Sequence, residues 1–178
     1  MTKAIDQKAV AAELERSLLA GLDGKQRDDG ARLATELAAD WAREANSDPD
    51  PPAVLEVQRA DLDAAVSGKT PQQRLDVLRA QVVERKINRA SVATWALGTG
   101  VVDGKIAGDA ARAEGQKLLA QIDALTADVK TLADADTSKR LMRDLNEARM
   151  EALYAVERKA MSLRLNRYQQ DHPAPAKH

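Results

Sequence analysis

Eight small or aliphatic residues recur along one stretch of the chain at a nearly constant interval. Gly108, Ala111, Gly115, Leu118, Ile122, Leu125, Val129 and Leu132 follow one another at steps of 3, 4, 3, 4, 3, 4 and 3. A mean step of about 3.5 residues keeps an apolar seam on one side of a helix that faces a partner helix, as in a coiled coil. The seam opens on Gly and Ala and closes on Leu, Ile and Val, so a partner backbone can approach closely at its first end. A second long helical run, from about Thr137 to Gln170, follows within a few residues. The expected fold is therefore all-α: an irregular helical bundle with a long C-terminal antiparallel helical hairpin.

The core of such a fold has to be built from small aliphatic side chains. The chain has 178 residues, no Phe, two Trp and two Tyr. Ala-rich faces bury little apolar area, at roughly 25 cal/mol per Å², so close helix packing must compensate. Cys is absent, which excludes disulfides and thiolate chemistry. Met1-Thr2-Lys3 leads into a polar amphipathic stretch rather than a signal-like apolar one, and no run approaches ~20 apolar residues. The reading is a cytoplasmic protein with no membrane span.

Turn and cap residues divide the chain. A first helix runs from about Lys3 to Leu22, stopped by Gly21 and Gly24, and a second from a cap at Asp28 or Asp29 to about Asn46. The linker at about 47–52, Ser47-Asp48-Pro49-Asp50-Pro51-Pro52, is expected to be extended because its prolines oppose helix. A third helix spans about Ala53 to Ser67. Thr70-Pro71-Gln72-Gln73 is a capping box, with Thr at the cap, Pro at N1 and Gln at N3. The fourth helix should run from there to about Ile87, and Ser91 should cap a short fifth through Leu97. Gly98, Gly100 and Gly104 then read as a flexible turn. The domains expected are a bundle of short helices over 1–105, the hairpin over 106–170 and a tail over 171–178.

Charge alternates along the chain. Residues 1–70 carry 9 basic and 14 acidic residues, 71–105 carry 6 and 3, 106–136 carry 3 and 6, and 137–178 carry 9 and 5. Opposite signs either attract within the bundle or present a basic surface to an acidic partner.

Three features are candidates for function. The last helix carries one apolar stripe that can face its hairpin partner, Met142, Leu145, Ala152, Val156, Ala160 and Leu163. It carries a second on another side: Met150, Tyr154, Met161, Leu165 and Tyr168, flanked by Arg158 and Arg164. Met and Tyr are adaptable interface residues, so this second stripe is the candidate partner-binding or self-association surface. Arg158, Lys159, Arg164 and Arg167 can complement the helix dipole or form a phosphate-binding strip. Residues 78–97 offer a helix-turn-helix-like segment in which Ile87, Val92 and Trp95 are inward. In that arrangement Arg85, Lys86, Arg89, Ser91 and Thr94 face phosphates or base edges. The small residue and turn Gly usual in that motif are replaced by Val82 and Lys86.

Catalytic, metal-binding and cofactor-binding residues are not expected. Both His residues, His172 and His178, lie in the tail, and Gly98-Thr99-Gly100 lacks the Lys of a phosphate loop. Asp48/Asp50 and Asp134/Asp136 lack a calcium-loop ladder, and Glu147/Glu151 lack the His of a di-iron helix. The expected function is a non-enzymatic protein–protein interaction component: an assembly, adaptor, scaffold or chaperone-like structural protein. Phage and secretion-type assemblies use chains of this composition, an association of composition alone. The alternative is a DNA-binding or regulatory protein using residues 78–97 and the basic last helix.

Overall fold

The computed structural model describes the backbone of residues 4–106 and 108–171, and within these every side chain except those of 154 and 158–171. The chain is 84% helical, against the ~30–35% of an average domain. Among the described residues there is no strand. The helices are α1 (Gln7–Leu18), α2 (Gly24–Asn46), α3 (Pro51–Val66), α4 (Pro71–Val102), α5 (Gly108–Lys130) and α6 (Ala135–Asp171).

Local chemistry sets most of the helix starts. Asp6 Oδ1 accepts from the Lys8 N–H at 2.9 Å, and Asp134 Oδ2 from the Thr137 N–H at 2.8 Å. The Thr70 capping box forms reciprocally: the Thr70 N–H donates to Gln73 Oε1 at 3.0 Å, and the Gln73 N–H to Thr70 Oγ1 at 3.3 Å. The Pro-rich linker differs from its expected extended form. Asp50 caps α3, and Pro51 and Pro52 occupy its first two positions, where a missing N–H costs no hydrogen bond.

The largest difference lies in α4. The turn expected at Asn88-Arg89-Ala90 does not exist, because one helix runs from Pro71 to Val102. Residues 72–97 contain neither Gly nor Pro to break it. Its inner seam continues straight through: Ile87, Ala90, Thr94 and Leu97 are all buried and follow at steps of 3, 4 and 3. Gly98 and Gly100 are helical too. The helix ends at Val102, two residues before Gly104, whose φ of +70° L side chains rarely adopt. There the Lys105 and Ile106 N–H groups both donate to the Gly100 carbonyl, at 2.9 and 3.2 Å.

The chain forms two compact units that divide within α4. Of the described residues, one unit comprises those up to Arg85 with Leu132–Thr137, and the other comprises those from Lys86 to Thr131 and from Ser138 to Asp171. In the first unit, Leu14 and Leu18 of α1, Leu37 and Trp41 of α2, Leu55 and Leu62 of α3, and Leu75 and Leu78 of α4 share one core. Ion pairs tie its helices at the rim: Arg79 Nη2 to Asp29 Oδ2 at 2.9 Å, Arg85 to Glu44, and Arg59 to Glu13. The Asn46 side chain pairs with both backbone groups of Ile5, accepting at 2.8 Å and donating at 3.2 Å.

In the second unit the α5 seam is inward: Ala111, Gly115, Leu118, Ile122, Leu125 and Val129 are buried. On α6 the buried residues are Leu141, Leu145, Ala148, Ala152 and Ala155, at steps of 4, 3, 4 and 3. Leu141 therefore occupies the inward place expected for Met142, which is half-buried. At Gly115 α5 packs tightly on α6, since a Cβ there would strike the Val156 side chain. Asp123 pairs with Arg149. Ser138 Oγ donates to the Val129 carbonyl at 3.1 Å. Partners thus descend along α6 as they ascend along α5, the order of helices running in opposite directions.

Candidate interaction face on α4

The inner seam of α4 dictates what lies on its outer side. Successive helical residues are rotated by about 100°, so burying Ile87, Ala90, Thr94 and Leu97 turns Val92, Trp95 and Val102 away. They are 67%, 66% and 61% exposed. An isolated exposed Val is ordinary, but an exposed Trp beside two exposed Val residues on one helix face is an apolar patch that calls for a partner.

Thr94 locks this orientation. Its side chain is fully buried, with Oγ1 lying 2.9 Å from the Ser91 carbonyl and 3.2 Å from Glu151 Oε2 on α6. Its single hydroxyl proton serves one of these acceptors at a time. Next to it, Thr94, Trp95, Gly98, Thr99, Val102 and Glu151 line a shallow hollow of about 300 Å³. Met150, the neighbour of Glu151, is 65% exposed.

The helix-turn-helix reading does not survive this geometry. With no turn at 88–90, there is no separate recognition helix. Val92 and Trp95, expected inward, face outward. Thr94, expected to face nucleic acid, is buried. Arg85 is engaged by Glu44. Ser91 is half-buried, and its carbonyl lies within reach of Thr94 Oγ1. Lys86 and Arg89 sit at one side of a separate groove of about 550 Å³, floored by Ala90, Ala93, Ala124 and Leu125.

Of the expected partner stripe on α6, Met150 is described and exposed. The side chains of Tyr154, Arg158, Met161, Arg164, Leu165 and Tyr168 lie outside the described residues. The structure adds Val92, Trp95 and Val102, which sequence reading assigned to a buried corner and a turn. Their own spacing with Thr99, at steps of 3, 4 and 3, was the available signal.

Electrostatics in the described residues is structural. On the first unit, hydrogen bonds from Arg32 and then from Arg79 hold the Asp29 carboxyl below its usual range. The Thr137 hydroxyl and N–H do the same for Asp134. Among the described residues no group of three or more His, Cys, Asp or Glu side chains could hold a metal ion. No helix among them is long and apolar enough to cross a membrane. Comparison with protein-family models, curated proteins and solved structures finds no match for this chain.

Proposed function

We propose that this chain is a non-enzymatic protein–protein interaction component, an assembly or adaptor module, whose docking face is the outer side of α4 from Val92 to Val102. The observation that carries this reading is Trp95. A Trp side chain presents roughly 150–250 Å² when fully exposed, and Trp is enriched among the residues that dominate binding energy. Here two thirds of it is exposed on a helix, next to the buried Thr94. Met150 on α6 is exposed as well.

The test is a double substitution, Trp95→Glu with Val102→Glu, followed by light scattering and circular dichroism. Both side chains point to solvent in the isolated chain, so the helical spectrum should persist while complex formation is lost. A complex that survives with unchanged affinity would place the docking surface elsewhere.

A further inference from the structure

The outer side of α4 carries a heptad of its own. Val92, Trp95, Thr99 and Val102 repeat at steps of 3, 4 and 3, the spacing on which a second helix seats itself. Between Arg89 and Asp103 the helix holds no charged residue, in a chain that is 31% charged. Loss of charge in a surface segment is the compositional mark of an interface centre.

Two features select a second copy of this chain as the occupant. The first is a row beside the seam. Arg89, Ala96 and Asp103 are exposed and spaced by 7. A two-fold axis perpendicular to α4 at Ala96 sets this row against itself in reverse. Arg89 of each copy then faces Asp103 of the other, whose Oδ2 also accepts from Lys105 Nζ of its own chain at 3.0 Å, and the two small Ala96 side chains meet at the centre. The same operation puts Val92 against Val102 and Trp95 against Thr99. A parallel pairing would set Arg89 against Glu84, but Ala96 against Ser91 and Asp103 against Gly98, so Asp103 would face no opposite charge.

The second feature is Gly98. Glycine weakens a helix, and most helical glycines here have a reason inside the chain. A Cβ at Gly100 would lie 2.5 Å from Ile106 Cδ1, and one at Gly115 would strike Val156. At Gly98 a Cβ would meet nothing within 4 Å. Gly98 instead deepens the hollow beside Thr99 and Val102, over which the antiparallel pairing brings the indole of a second copy.

Building on the docking reading above, we infer that two copies of this chain pair antiparallel through α4, about a two-fold axis at Ala96. Trp95 of each copy is seated in the hollow beside Gly98 of the other.

Sedimentation equilibrium of the full chain across a wide concentration range tests this. The mass should rise from one chain to two as concentration increases. Trp95→Glu and Gly98→Leu should each raise the dissociation constant about tenfold or more, with an unchanged helical spectrum. Gly98→Leu is the safer of the two for folding, because its Cβ has open space and Leu favours helix. Arg89→Asp should weaken pairing, and Arg89→Asp with Asp103→Arg should restore it, as only an antiparallel arrangement allows. A mass of one chain at every concentration overturns the pairing, as does a doubled mass that neither Trp95→Glu nor Gly98→Leu affects. In the single-chain case, a Trp95 open to acrylamide quenching keeps the face as a site for a different protein. A shielded Trp95 removes the docking reading as well.

Discussion

Thr94 of α4 lies against Glu151 of α6, with 3.2 Å between Thr94 Oγ1 and Glu151 Oε2, and this contact sends Trp95 outward. Thr94 is fully buried, whereas Glu151 is exposed and stays hydrated. Thr94→Val keeps the shape and removes the hydroxyl. It should destabilise the chain by about 1 kcal/mol or less, since Ser91 and Glu151 lose one shared donor. Chemical denaturation would measure it. Thr94→Asp, which buries a charge against Glu151, should be far worse.

The glycines give opposite outcomes. Gly115→Val forces a side chain into Val156 of α6 and should cost roughly 1–3 kcal/mol or more. Gly98→Ala adds a methyl group where a Cβ meets nothing and should stabilise by about 0.5–1 kcal/mol. Thermal melts of the two variants should move in opposite directions.

The α5 seam can be read residue by residue. Ile122 is completely buried, so Ile122→Ala should fall well inside the range of roughly 2–5 kcal/mol for core truncation. Leu125 borders the groove beside Ala90 and Ala93. Leu125→Ala should therefore fall near the bottom of that range. Equal losses at the two sites would mean that the groove is closed.

Acid should loosen the first unit at Asp29. Its folded pKa is lowered, chiefly by Arg32 and then by Arg79. The contribution is therefore present above the unfolded value of about 3.9 and is lost as pH falls through the lowered value. The carboxyl is only partly buried, so the pair with Arg79 should contribute no more than about 1 kcal/mol. Asp29→Asn should remove that contribution at neutral pH and flatten the acid limb of a stability–pH curve.

Much of the fold was legible in the sequence because it rests on period and caps. The α5 seam, the Thr70–Gln73 capping box and the helical class all follow from spacing. What failed was punctuation. Ser91 resembled a cap and Gly98 and Gly100 resembled a turn, yet helical packing overrode these local preferences. A buried Ile87–Leu97 seam holds the helix together across them. Trp95 was misplaced for the same reason: once a turn is assumed, a Trp reads as its plug. Two heptads on different sides of one helix were present in the sequence, but only the burial pattern tells inner from outer.

The most direct test of the central claim is the accessibility of Trp95 in a chain carrying Trp41→Phe. Trp41 is buried with its indole N–H unpaired, so that substitution breaks no hydrogen bond and leaves Trp95 as the sole reporter. In a dilute, single-chain sample the emission should be that of a solvated indole and should be quenched freely by acrylamide. Both properties should reverse when a complex forms. A blue-shifted, quench-resistant Trp95 in the dilute single chain would contradict the outward face of α4 and the docking role built on it.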